Sequence, residues 1–262
     1  MRTLVTGAVG GIGRETVRAL RRTGHEVVAL DRDDRVEAIP GIESHVVDVT
    51  DAAAVGRAVG PMALDAVVTC VGSYELGAIE EQSPEAFEAQ LETNVLGTHA
   101  VVHAALPGLR ERGGRVVIVG SLLGRVSLPY HGPYAASKHA LVGYADALRR
   151  ECPAISVSLV EPGPVATGLN ERAAAALGGY EGSPYRAAYR HLQERGPGSS
   201  ETTPEAVAEA IERALTDGRP RACYRVGARA RLLPWLRVLL PSSLFDRVVR
   251  SGTVGSLSRL LD

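Results

Sequence analysis

Lysine is nearly missing from this chain. Of its 29 basic residues only Lys138 is a lysine; the other 28 are arginines. Aromatic side chains are scarce too, at 4% of 262 residues, which argues against a stacking platform for single-stranded nucleic acid. Neither sign of charge dominates, since 29 basic and 30 acidic residues leave a formal net charge of −1. A nucleic-acid binder normally carries a basic excess or stripe, so no nucleic-acid partner is expected. Cysteine is limited to Cys70, Cys152 and Cys223, widely spaced and odd in number. They point to neither a disulfide framework nor a zinc site, and fit a reducing cytosol. No apolar run approaches the roughly 18 residues of a membrane span. The first apolar run leads almost from Met1 into a glycine cluster, with no signal-like segment. The expectation is a cytoplasmic protein without stable membrane insertion.

What is present is ordinary globular composition, 45% apolar and 23% charged. Val-rich runs at 2–6, 26–31, 43–48, 66–71, 115–120, 155–160 and, more weakly, 221–226 read as strands covered on both faces. Helix-period segments lie between them, at 11–23, 51–59, 84–106, 132–151 and 204–217. The alternation predicts an α/β fold: a Rossmann-type doubly wound parallel sheet, in one domain, with helices on both faces. Asp51, Ser83-Pro84 and Thr203-Pro204 mark helix starts. Residues 168–202, rich in glycine and carrying Tyr180, Tyr185 and Tyr189, interrupt the pattern and are expected to be a substrate lid. Residues 227–262 form a tail expected to be helical. Its apolar stretch Leu232–Leu240 could meet a membrane. Basic clusters there look thin, so packing over the lid or against another subunit is the favoured reading.

Thr6-Gly7-Ala8-Val9-Gly10-Gly11-Ile12-Gly13 follows the first strand and opens a helix. Glycines let the backbone turn and approach a pyrophosphate, whose charge meets the amide end of the helix. Asp31 ends the second strand, 18 residues after Gly13, where a carboxylate can accept from the ribose hydroxyls of a dinucleotide. Its charge would repel the extra phosphate of NADP, so NAD is expected. Arg32 and Arg35 pull the other way, because a guanidinium can hold that phosphate, and NADP stays open.

Tyr134 and Lys138 lie four apart on one face of the 132–151 helix. A phenol is a poor base at neutral pH unless a neighbouring ammonium lowers its pKa. So activated, it could exchange a proton with a hydroxyl or carbonyl oxygen. With eight tyrosines and one lysine, this spacing arises by chance roughly 3% of the time.

These pieces, in this order, resemble the short-chain dehydrogenase/reductase superfamily, in its shorter single-domain branch, over nearly the whole chain. The matching residues are Thr6-Gly7-x-x-x-Gly11-x-Gly13, Asp48, Asn94, Ser121 placed 13 residues before Tyr134, Tyr134-x-x-x-Lys138 and Pro162-Gly163-x-Val165-x-Thr167. The resemblance implies hydride transfer between a nicotinamide and a secondary alcohol or ketone. It implies Tyr134 as general acid and base, Ser121 as stabiliser of the reacting oxygen, and Lys138 as ribose ligand and activator of Tyr134. Asn94 would hold a water leading to Lys138. Asp48 and Val49 would contact the adenine, and Thr167, in the Pro162–Thr167 loop, the carboxamide.

Two departures stand out. The family's Asn-Asn-Ala-Gly is Thr69-Cys70-Val71-Gly72 here, so Gly72 survives but the asparagine ties are lost or taken over by Thr69. Cys70 reads as a small core hydrophobe rather than a nucleophile. The spacing Gly7-x-x-Gly10-x-x-Gly13 also fits the longer, sugar-nucleotide-modifying branch; length, the Ser–Tyr gap and Pro162-Gly163 favour the shorter one. His131 reads as a loop residue rather than one that faces substrate, and His99 with His103 reads as packing rather than a metal pair. The family's oligomers imply a homodimer or homotetramer, with Val101, Ala105, Leu141 and Ala145 as outward apolar positions. A nucleotide-sensing scaffold without turnover, or an epimerase whose hydride leaves and returns, are the alternative functions.

Overall fold

In a computed structural model, residues 1–178, 181–194 and 202–250 are described. Seven strands form one sheet: β1 (Arg2–Thr6), β2 (Glu26–Asp31), β3 (Glu43–Val46), β4 (Ala66–Thr69), β5 (Arg115–Val119), β6 (Ser156–Pro162) and β7 (Cys223–Val226). Their order is β3-β2-β1-β4-β5-β6-β7 and every pairing is parallel. Order reverses between β1 and β4, which opens a crevice at their carboxyl ends, where ligands bind in such sheets.

Strand side chains alternate between two cores, which is why the runs read as continuously apolar. Leu4, Val28, Leu30, Val67, Ile118 and Leu159 face α2 (Ala52–Val59), α4 (Gly97–Arg112) and α5 (Gly132–Glu151). Val5, Val27, Ala29, Val68, Val117 and Val160 face α1 (Gly11–Arg22) and α8 (Pro204–Thr216). Asp51, Ser83 and Thr203 cap their helices through Ala54, Ala86 and Ala206 N–H groups, as their sequence positions imply.

The helix expected over 84–106 is α3 (Pro84–Leu91) and α4 joined by a five-residue π turn, Glu92–Leu96. It runs through Pro107 to Arg112 rather than stopping before the proline. Pro107 and His103, the residue whose carbonyl loses its partner, both lie on the exposed face, where water can serve that carbonyl. A second correction concerns Val101, Ala105, Leu141 and Ala145. All four are buried against the sheet, none more than 5% exposed, so they are not an outward surface for a homodimer or homotetramer. These helices are apolar on more than one side, and the sequence does not say which side meets the sheet.

The 168–202 segment carries two short helices, α6 (Leu169–Ala176) and α7 (Arg186–Glu194). Tyr180, Gly179, Gly196 and Gly198 lie outside the described residues. The tail forms α9 (Ala228–Leu239) and α10 (Ser242–Arg250), packed through Ala230, Leu233 and Phe245 on Leu122 and Val126.

Candidate active site

The glycine loop is held by contacts that leave no room for a Cβ. Gly7 has φ of +66°, and a Cβ there would meet the Cys70 carbonyl carbon at 2.9 Å. A Cβ on Gly13 would lie 2.0 Å from the Gly7 oxygen, and one on Gly11 2.7 Å from the Thr167 Cβ. Thr167 is thus brought against the loop from the end of β6. The first turn of α1 has no side-chain cap and no acidic residue, so its amides and dipole face the crevice. This cradle fits a pyrophosphate.

Asp31 stands beside it. Its carboxylate accepts from the Val9 N–H at 2.9 Å and the Asp33 N–H at 3.1 Å, which ties the end of β2 to the glycine loop. Arg35 turns to Asp33, donating from Nε to both carboxylate oxygens. That pairing draws the Asp33 carboxyl down to about 2. Arg32 is exposed. Asp48 accepts from the N–H and hydroxyl of Thr50 at 3.0 and 2.9 Å, while Val49 is buried under Gly97.

Across the crevice, Ser121 follows β5 and its Oγ accepts the Leu123 N–H at 3.1 Å. Its hydroxyl also favours the phenolate of Tyr134. Burial outweighs that influence and pushes Tyr134 up to about 12. The expectation that Lys138 holds this phenol below its ordinary value is therefore corrected. Lys138 is 3% exposed, donates from Nζ to the Val119 carbonyl at 3.1 Å, and lies 5.5 Å from the centre of the Tyr134 ring. Burial brings its own pKa down to about 8. Gly72 lies beside it; a Cβ there would be 3.8 Å from Nζ and 3.5 Å from Asn94 Oδ1.

Asn94 sits in the π turn, fully buried. Its Nδ2 donates to the Ser73 carbonyl at 3.0 Å and to Ser137 Oγ at 2.9 Å, and its Oδ1 accepts the Ser73 N–H at 2.7 Å. Both amide hydrogens are thus engaged, leaving only Oδ1 to accept from a water. The Thr69 hydroxyl replaces no lost tie. Among the described residues it is buried without a hydrogen-bond partner, as is that of Thr6 beside it. Burial pushes the Cys70 thiol up to about 12, which keeps it unreactive. His99 Nδ1 faces the Tyr144 hydroxyl at 3.3 Å; no metal-binding cluster of His, Cys, Asp or Glu occurs among the described residues.

The far side of the crevice is aromatic: the sequence predicts Tyr134, Tyr185 and Tyr189 there, but not Tyr74 or Tyr130. The Tyr74 ring lies 4.5 Å from that of Tyr134 and 5.9 Å from His131. Burial lowers the His131 pKa. Tyr130, at φ of +70°, packs against Tyr185 and Tyr189 of the lid. The Tyr189 hydroxyl donates to Glu81 at 2.5 Å and accepts the Ala78 N–H at 2.8 Å. Below, buried Glu161 accepts from Arg125 Nε at 2.6 Å and Arg225 Nε at 3.2 Å. It fixes the strand end that leads into Pro162, Gly163 and Val165. These partners lie in loops or far apart in sequence. A tyrosine two residues past Gly72 was the one local signal.

A sequence profile of the family described as short chain dehydrogenase matches residues 2–177. The chain is 29% identical over 260 residues to the uncharacterized oxidoreductase YbbO of Escherichia coli (strain K12), covering 94% of this chain and 93% of that one. It is 32% identical over 198 residues to dehydrogenase/reductase SDR family member 7B of Bos taurus, covering 67% of this chain but 61% of the bovine protein, less than two thirds of its length. A solved short chain dehydrogenase from Burkholderia cenocepacia J2315, in complex with NADP, shares 25% identity and a TM-score of 0.77, over 94% of this chain and 96% of that one.

Proposed function

The chain belongs to the short-chain dehydrogenase/reductase family, and on that footing we propose that it reduces ketones to secondary alcohols with Tyr134 as proton donor. The reaction class is NAD(P)-dependent oxidoreduction. The observation that carries the finer reading is the Ser121–Tyr134–Lys138 cluster at the carboxyl end of β5. With its pKa near 12, Tyr134 keeps its proton through neutral pH, the form needed to donate to a carbonyl oxygen. Ser121 donates to the same oxygen as its charge develops. Lys138 binds the nicotinamide ribose, and Asn94 braces the Gly72-Ser73 backbone beside it. A bound nicotinamide supplies the hydride.

Gly7, Gly11, Ile12 and Gly13 would hold the pyrophosphate, Asp48 and Val49 the adenine, and Thr167, with Pro162, Gly163 and Val165, the carboxamide end. Asp31 supports NAD through its ribose hydroxyls. The NADP in the Burkholderia cenocepacia relative keeps the second cofactor in play, with Arg32 the phosphate ligand in that case. The aromatic wall suits a bulky, partly polar ketone. A single catalytic domain with a lid and a helical tail, in the cytoplasm and self-associated, completes the proposal.

The test is Tyr134→Phe on a ketone panel followed by reduced-nicotinamide absorbance, with NADH and NADPH in parallel. Turnover should fall by about 10²–10⁴-fold with cofactor affinity kept. Turnover within a factor of a few of the unaltered protein overturns the assignment.

A further inference from the structure

We propose that the α9–α10 tail is a docking surface for an anionic lipid bilayer, on which it lies without crossing. The inner side of the tail is accounted for: Ala230, Leu233 and Phe245 pack on Leu122 and Val126, just past Ser121. Its outer side is not. Trp235 is 60% exposed, Val238 76%, Leu239 73% and Leu244 on α10 40%. Trp235, Val238 and Leu239 follow Arg231 at intervals of four, seven and eight residues, so all four share one face of α9. An apolar stripe on a helix normally turns to a core; this one turns outward while the opposite side is already buried.

Charge selects the occupant. Residues 228–250 hold five arginines and one aspartate, a local +4 in a chain whose net charge is −1. The basic cluster that looked thin in the 232–240 stretch is supplied by Arg229, Arg231, Arg247 and Arg250 on either side of it. A helix with arginines, a tryptophan and aliphatic residues at its surface suits the plane between headgroups and acyl chains. Anionic headgroups answer the local charge, whereas a second copy of the same tail would set +4 against +4. Among the described residues no helix is long and apolar enough to cross a membrane, so the contact is peripheral. The proposal does not depend on the chemistry assigned to Tyr134.

Trp235 is the only tryptophan, so its fluorescence reports this face alone. The full chain is titrated with vesicles of phosphatidylcholine containing 30% phosphatidylglycerol (roughly the anionic fraction of an acidic leaflet), and with phosphatidylcholine alone. Emission should shift to the blue with the anionic vesicles, the protein should float with them, and raising salt should release it. Arg231→Glu should weaken partitioning by at least about fivefold. Val238→Asp with Leu239→Asp should abolish it while the far-ultraviolet circular dichroism stays unchanged. Three results overturn the proposal: no blue shift or flotation with anionic vesicles, equal binding to neutral ones, or a dimer by light scattering that the Val238→Asp, Leu239→Asp variant converts to monomer.

Discussion

The two walls of the crevice are built by different means. On the cofactor side the shape is set by backbone: Gly7, Gly11 and Gly13 are pressed so close to main-chain or Thr167 atoms that a single methyl finds no space. On the substrate side it is set by side chains, Tyr74 leaning on Tyr134, and Tyr130 on Tyr185 and Tyr189. Backbone walls tolerate almost no change and fit one ligand shape. Side-chain walls can be re-cut residue by residue, which is how one scaffold accepts different substrates.

If that contrast holds, the largest effect comes from Gly13→Ala. Its Cβ would lie 2.0 Å from the Gly7 oxygen, so the loop must move. Nicotinamide cofactor binding should be lost in calorimetry, and thermal melts should report a stability loss of about 3 kcal/mol. A variant that binds cofactor normally breaks the contrast.

The next effect lies at the boundary between the walls. Lys138 is lowered to about 8; as the proposed ribose ligand it would bind as an ammonium, so cofactor affinity should weaken as pH rises through about 8. Lys138→Arg should bind less tightly but without that inflection, because guanidinium stays charged. The same shift acts on folding. The unfolded chain holds the proton up to about 10.5 while the folded one releases it near 8, so stability should rise with pH in that window. Tyr134 works oppositely: between 10 and about 12 the folded chain keeps the proton the unfolded chain has lost, and stability should fall. Urea melts across pH 7–11 would resolve both slopes.

Asp31→Ala sharpens the cofactor wall. It removes a negative charge from the ribose position, so the ratio of kcat/KM for NADPH over NADH should rise by roughly tenfold. An unaltered protein that already prefers NADPH would assign the site to Arg32. The smallest effect is Tyr189→Phe. It strips partners from the Ala78 N–H and from Glu81, which should cost about 1–2 kcal/mol and raise KM for the ketone while leaving cofactor affinity unchanged. A change in cofactor affinity would show that the two walls are coupled.

The cofactor wall was legible in the sequence for the same reason it is rigid. Its demands are local: a glycine where no Cβ fits, a carboxylate at a strand end. Alternation between the two cores was equally readable from the Val-rich runs. The facing of α4 and α5 was not, because apolar residues ring these helices and only the sheet decides which side is covered. The substrate wall was the least legible. Tyr189 meets Ala78, and Glu161 meets Arg125 and Arg225, across separations of 111, 36 and 64 residues that no local pattern encodes. The raised phenol of Tyr134 has the same origin, since helical spacing reveals the neighbouring ammonium but not the depth of burial.

The chain has replaced lysine with arginine almost everywhere a cation is needed. The one exception is wedged between the Val119 carbonyl, the Tyr134 ring and Gly72, at 3% exposure. A slender stem ending in a compact, tetrahedral donor fits that slot; a planar fork does not. The protein therefore carries its own contrast: 28 positions hold a guanidinium and a single buried slot holds an ammonium. Among the described residues, the sole lysine is also the most deeply buried cation. Isotope-labelled lysine would accordingly report on the interior of the crevice alone, and amine-directed reagents on that interior and the exposed amine of Met1.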